Sequence, residues 1–399
     1  MSYHKAEYLT YSSYRKVYHF GRLLTVHRFN PRVLDVNNKK ISDLVNFINE
    51  IDFTIISKKH VRKNLKDLFT ICITVHDAEV EFYRECLNSV LRQTYKNIEL
   101  IIIEHGTSVV IKEINRNLLK TDGRIKILHV PLNVPENYFN LVNAALFISN
   151  GQYFSFISYD DYLSPNYAEV MVSLFKGNSS CVTAAPLPVS IDEFGNLNSD
   201  TSNFYKLNNK RPRYTAGVDL VLSYVNPDGK ISFPGGVLAH KTSNLLEHGA
   251  FDKWNDVSQL IRFALWGDSG FSSRAKLYWR HHKKQTNVEN SKLGMFHYHA
   301  ILEYYRTEDF FEIHSNLVNT VFAKQVYEFF VRWANYEVMV PISRQIDSRN
   351  FANLFNLYAR LVKEVPWHVI IQVTLKIFLN ILNKIRLALS TSIFNHLSR

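Results

Sequence analysis

The chain has 399 residues, of which 46% are hydrophobic and 14% aromatic, and it carries a formal net charge of +11. That content excludes a disordered or low-complexity chain, and the length predicts one large domain with appendages or two domains. The basic balance suits an anionic membrane surface or a phosphorylated substrate. A nucleic-acid partner is set aside, because no nucleic-acid module or basic-aromatic stripe accompanies the charge.

Residues 1–66 read as an N-terminal extension, apolar from Ile41 to Ile56 and basic from Ser57 to Lys66, the basic run being a linker or a solvated helical face. No charged stretch followed by an apolar core opens the chain. No window offers the roughly 20 uninterrupted apolar residues that a spanning helix needs, so the expected location is cytoplasmic. From Asp67 the pattern alternates. Leu68 to Val75 predicts a strand, and Ala78 to Arg92 predicts a helix with Phe82, Cys86, Leu87, Val90 and Leu91 at helical spacing. Ile98 to Ile103 is a second buried strand, Val109 to Leu119 a helix and Ile125 to Val130 a third strand. Tyr138 to Ser149 is helical, stopped by Asn150-Gly151, and Tyr153 to Ser158 is a fourth strand. Strands separated by helices of this length predict an α/β fold with a mostly parallel sheet covered on both faces. Cys72, Cys86 and Cys181 show no paired spacing and read as buried free thiols in a reducing compartment.

The fourth strand runs into Tyr159-Asp160-Asp161-Tyr162-Leu163-Ser164-Pro165. Open parallel sheets bind ligands beyond the carboxyl ends of their strands. Two adjacent carboxylates there offer hard oxygen ligands to Mg²⁺ or Mn²⁺, which in turn hold phosphates. The same pair also reads as a solvated turn capping the next helix.

Residues 300–399 change to long helical segments. Within 366–390 one helical face carries Gln372, Lys376, Asn380 and Lys384, with Ile370, Ile371, Ile377, Phe378 and Leu382 on much of the remainder. No acid follows Glu364. Such a basic amphipathic helix lies in an anionic membrane interface or packs on its own protein's core.

The run Cys86-Leu87-x-Ser89-Val90-Leu91-x-Gln93-Thr94-Tyr95-x-Asn97-x-Glu99, with Asn150-Gly151-Gln152-Tyr153 leading into the Asp-Asp strand, resembles the family 2 glycosyltransferases of GT-A fold. The resemblance covers roughly residues 68–290 and implies a glycosyltransferase domain at 67–299. It implies an inverting, metal-dependent enzyme that moves a sugar from a nucleotide-sugar donor to a glycan or polyprenyl-linked acceptor. It places Thr74, His76, Glu104, Asn143 and Asp160 against the nucleotide sugar, and Asp160 and Asp161 on a divalent Mn²⁺ or Mg²⁺. Asp256 matches the general base, and Arg280 and His282 match a basic loop that closes over the diphosphate. In bland terms Asp256 is a helix N-terminal acid, and the basic residues form a solvated loop. Departures occur at Glu104-His105, where the family has paired Asp, at Ser158 for the first metal acid, at Val142 for an Arg, and at Asn255 for a Glu. They motivate an alternative, a catalytically degenerate scaffold or partner subunit. The turn Phe233-Pro234-Gly235-Gly236 is a candidate acceptor contact.

Overall fold

The computed structural model describes residues 13–19, 22–28, 54–57, 65–130, 138–198, 212–217, 219–220, 237–247, 250–251, 267–283, 371 and 374–375. The chain forms two compact units, Met1–Ser223 with Lys230–His281, and Tyr224–Gly229 with His282–Arg399. In the first unit the strands are β1 (Ser13–His19), β2 (Arg22–Arg28), β3 (Thr54–Ser57) and β4 (Leu65–Val75), followed by helix α1 (Val80–Leu91). Next come β5 (Ile98–His105), α2 (Val109–Thr121), β6 (Ile125–Val130), α3 (Tyr138–Ile148), β7 (Gly151–Ser158) and β8 (Tyr162–Leu163). The unit continues with α4 (Tyr167–Gly177), β9 (Cys181–Ile191), β10 (Tyr214–Thr215), β11 (Ala239–Lys241), α5 (Thr242–Glu247) and β12 (Asp268–Arg280).

These strands form a sheet in the order β1-β2-β3-β6-β5-β4-β7-β11-β9-β12-β10, with β8 paired to β12 off that path. The centre, β6-β5-β4-β7, is parallel throughout. On either side it continues through antiparallel neighbours, β3 beside β6 and β11 beside β7. The extension thus contributes β1, β2 and β3 to the sheet, and the last two residues of the basic run open β4.

The central strands are apolar at consecutive positions because both faces are covered. Ile71, Ile73, Leu100, Ile102 and Ile127 pack with Tyr83, Leu87 and Val90 of α1 and with Met171 and Leu174 of α4. Cys72, Ile101, Ile103 and Leu128 point the other way, against Val142, Ala145 and Leu146 of α3. Alternation of side chains along each strand divides the two cores. Burying each Leu or Ile contributes about 1.5–3 kcal/mol. The three cysteines are buried and free, and burial pushes all three thiols up in pKa.

A polar knot lies near the amino ends of the central strands. Glu99 accepts from Thr70 Oγ1 at 2.8 Å, from the backbone N–H of Asn150 at 2.9 Å and from its side-chain amide at 2.7 Å. Lys126 Nζ lies 2.5 Å from the same carboxylate and donates to the Ile148 carbonyl. The helix stop read at Asn150-Gly151 is therefore fixed by a strand residue from the signature run. Glycine is required at 151 because a Cβ there would sit 2.4 Å from Thr70 Oγ1 and 2.6 Å from the Tyr153 carbonyl.

Among the boundaries that differ from the sequence reading, two bear on the site. β7 begins at Gly151, since Leu65 of β4 pairs with it across a bulge. β5 runs on through Glu104 and His105, which pair with His129 and Val130 of β6, so neither is a turn residue. Among the described residues, no helix is long and apolar enough to cross a membrane. Replacing Lys126 with Met should leave Glu99 buried without its counter-charge and cost about 3–5 kcal/mol, read as a lower urea midpoint. An unchanged midpoint would show that the knot does not depend on the ion pair.

Candidate active site

β4, β5 and β7 end side by side, and the chain leaves β7 through Ser158, Tyr159, Asp160 and Asp161. Tyr159 N–H donates to the Thr74 carbonyl at 3.2 Å, which extends the β4–β7 ladder one step, and Asp161 N–H turns back to the Ser158 carbonyl at 3.3 Å. Asp160 and Asp161 are only 9% and 8% exposed, which rules out the solvated turn. Burial, followed by the neighbouring Asp160 charge, holds the Asp161 carboxyl well above its ordinary range, while its bond from Arg280 N–H and the Arg280 charge oppose the shift. The Tyr159 phenol is pushed up to about 12, chiefly by burial and next by Asp160. A pair of crowded, desolvated carboxylates is an arrangement that a cation would relieve.

The signature run holds this turn in place. Ser89 Oγ donates to the Cys86 carbonyl at 2.6 Å and accepts from Leu163 N–H at 3.1 Å. Gln93 Nε2 donates to the carbonyls of Ser89 and Ser164 at 3.0 and 2.8 Å, and Gln93 Oε1 accepts from Ala168 N–H at 2.9 Å. Thr94 N–H donates to the Pro165 carbonyl, and its hydroxyl to Glu169. The end of α1 is thereby tied to residues 163–169, immediately after the acids. Reasoning from the sequence used these residues as a family signature and missed what they do. The signal was their spacing, which places Ser89 and Gln93 one helical turn apart on the same face.

The other candidates divide. His76 is exposed beyond β4, its Nδ1 3.1 Å from the His105 carbonyl and its ring stacked on that of His105 at 5.1 Å. Asp77 follows it in the left-handed region, at φ 39°, a conformation Asp tolerates better than most residues. Thr74 is buried, and its hydroxyl donates to the Ile157 carbonyl at 3.4 Å. Glu104 turns into the α1–α2 layer, where it accepts from Asn115 Nδ2 at 2.8 Å and lies 3.4 Å from His129 Nδ1. Asn115 in turn accepts from the Tyr83 hydroxyl. The longer Glu side chain, where the family has Asp, is thus used between helix and sheet.

Asn143 makes a reciprocal pair with the backbone of Phe251, donating to its carbonyl at 2.7 Å and accepting from its N–H at 2.8 Å. It pins the chain just before the segment that carries Asn255 and Asp256. Phe251 packs there against Phe154, Phe156 and His240. Arg280 is the last residue of β12 rather than part of a closing loop, and it lies beneath the acids at 2% exposure. His282 falls in the second unit. Asp256 and Phe233-Pro234-Gly235-Gly236 lie outside the described residues.

The described residues thus form a parallel α/β sheet with clamped acids at its carboxyl edge. Residues 70–223 match the glycosyl transferase family 2 model. An uncharacterized glycosyltransferase of Haemophilus influenzae is 29% identical over 111 residues, 28% of this chain and 33% of its own. The uncharacterized glycosyltransferase EpsJ of Bacillus subtilis is 32% identical over 97 residues, 24% of this chain and 27% of its own. The glycosyltransferase GlyG of Streptococcus pneumoniae is 23% identical over 144 residues, 35% of this chain and 44% of its own. The matches therefore span less than half of each relative. Among solved structures, the mannosyltransferase PcManGT of Pyrobaculum calidifontis in complex with GDP-Man and Mn²⁺ is similar at a TM-score of 0.47 and 10% identity. That alignment covers 85% of this chain and 91% of the other, and the likeness is too distant to say what this chain binds.

Asn143→Ala should destabilise the domain by about 1–3 kcal/mol for each Phe251 backbone group left unsatisfied, measured by chemical denaturation. A variant as stable as the parent would return Asn143 to ligand contact.

Proposed function

We propose that this chain transfers a sugar from a nucleotide-sugar donor to a hydroxyl of a glycan or lipid-linked acceptor, with inversion, in the assembly of a bacterial surface polysaccharide. The observation that carries this reading is the Asp160–Asp161 pair, buried and fixed where the parallel strands end. The surface-polysaccharide setting rests on the family resemblance alone.

The donor set fits a divalent cation. Mg²⁺ and its analogues are held by one or two carboxylates together with substrate phosphates, which is what Asp160 and Asp161 offer. When bound, the ion would offset the negative charge that builds on the departing diphosphate. The chain's own residues supply the rest. Thr74 near the end of β4 and His76 just beyond it stand on the nucleotide side, and the ring pair His76–His105 offers a flat surface for a base. Asp256 accepts the proton of the acceptor hydroxyl as that oxygen attacks the anomeric carbon. A single base on the face opposite the leaving group gives inversion, by the logic that governs inverting glycosidases.

Membrane attachment through 366–390 belongs to the same proposal. Ile371 and Leu375, four residues apart on one helical face, are 55% and 56% exposed, as an interfacial helix requires. The protein is then peripheral at the inner face of the cell membrane.

A thermal-shift panel of nucleoside diphosphates and nucleotide sugars, with and without Mn²⁺, should show one nucleotide raising the Tm in a metal-dependent way. A ligand at about 100 Kd adds about 2.7 kcal/mol. No shift with any of them would favour the degenerate scaffold. Asp256→Asn should abolish transfer while leaving nucleotide affinity near the parent's, and full activity in that variant would remove Asp256 as the base. Deleting residues 366–399 should end cosedimentation with vesicles rich in anionic lipid; continued sedimentation would refute the anchor.

A further inference from the structure

One residue that bonds to both members of the acidic pair is one the family resemblance assigns elsewhere. We propose that Arg280, with Glu85 as its counter-charge, is a positioning residue that sets the Asp160–Asp161 carboxylates for the cation, rather than a contact to the diphosphate. The inference rests on the metal reading of that pair.

The guanidinium is almost fully enclosed, and each of its three nitrogens donates within the protein. Nε donates to the Asp160 carbonyl at 2.9 Å, Nη1 to the carbonyls of Glu193 at 3.1 Å and Asp192 at 3.5 Å, and Nη2 to the Glu85 carboxylate. The residue's backbone N–H donates to Asp161 Oδ1 at 2.9 Å. Its charge lies over the rings of Phe82 at 4.5 Å and Tyr162 at 5.8 Å. One side chain therefore joins α1, the acidic turn and the turn after β9.

The chemistry favours a fixed role. A buried guanidinium is tolerated only when its charge is paired and its N–H groups are taken up, and both conditions are met from inside the fold. Its planar fork fixes the direction of each partner, which a lysine ammonium on a flexible stem cannot do. The side chain holds the Asp160 backbone carbonyl and the backbone N–H of the same residue holds an Asp161 carboxylate oxygen, so the turn that carries both acids is fixed by this one residue. Outer partners of metal ligands typically change metal affinity by about 10–100-fold when removed. Glu85 stands on α1 four residues before Ser89, so the helix that clamps the far side of the turn also carries the counter-charge.

The test is a titration of the full chain with Mn²⁺ alone, followed by loss of the free-ion electron paramagnetic resonance signal, with circular dichroism melts of each variant. Asp161→Ala should abolish binding. Arg280→Lys, which keeps the charge but loses the fork, should weaken it by about 10–100-fold. Glu85→Gln should weaken it less, because the amide oxygen still accepts from Nη2, and should lower the melting temperature, because the buried Arg280 loses its counter-charge. No phosphate is present, so a residue that only contacts the diphosphate would leave the titration unmoved. Parent-like Mn²⁺ binding in Arg280→Lys and Glu85→Gln, with binding lost in Asp161→Ala, would overturn this proposal and leave the metal site standing. A parent protein that binds no Mn²⁺ would overturn the metal reading and this inference together. If Arg280→Lys does not fold, the Glu85→Gln titration alone decides.

Discussion

The carboxyl edge of the sheet depends on a side-chain amide that never meets water. Gln93 is fully buried, and its two amide ends reach the last turn of α1, the segment after the acids and the first turn of α4. A buried amide left without partners is costly, so only one relative placement of these three pieces is favourable. Asp160 and Asp161 sit inside the loop that this amide closes. Their crowding is unfavourable by itself and persists because the surroundings leave the chain no other course.

The domain divides its polar investments between the two ends of the sheet. Near the amino ends, Glu99, Lys126, Thr70 and Asn150 neutralise one another and lock the entry to β7. Near the carboxyl ends, the acidic pair stays adjacent, and burial shifts Asp161 toward protonation. The first set neutralises its charges internally, whereas the second keeps two carboxyl groups crowded in a buried turn. Both are built partly from the same signature run, Glu99 serving one end and Ser89 and Gln93 the other.

Much of the fold was legible because the central strands carry long apolar runs and the helices repeat at 3.6 residues, signals that survive without any tertiary knowledge. Strand ends were less so. Glu104 and His105 look like turn residues until β6 is seen to pair with them, and a sequence does not announce that partner. Side-chain direction was the larger gap. Glu104, Asn143 and Arg280 occupy positions that match ligand-facing residues, yet here each bonds to protein: Asn115, the Phe251 backbone, and the Asp160 and Glu193 carbonyls. Residue type and spacing place a group on an element. Only the packing around it determines what that group meets. The Asp-Asp pair was legible because a buried strand leads straight into it, which leaves its position little freedom.

The cysteines carry a practical consequence. All three native thiols are enclosed at 0% exposure, and burial keeps them protonated, so maleimide chemistry at neutral pH will pass them by. A single cysteine introduced at an exposed position such as Phe194, at the tip of the turn that Arg280 holds, becomes a unique attachment point for a fluorophore. Ordering of that turn can then be watched optically in the otherwise unmodified chain, without first stripping out its own sulfur.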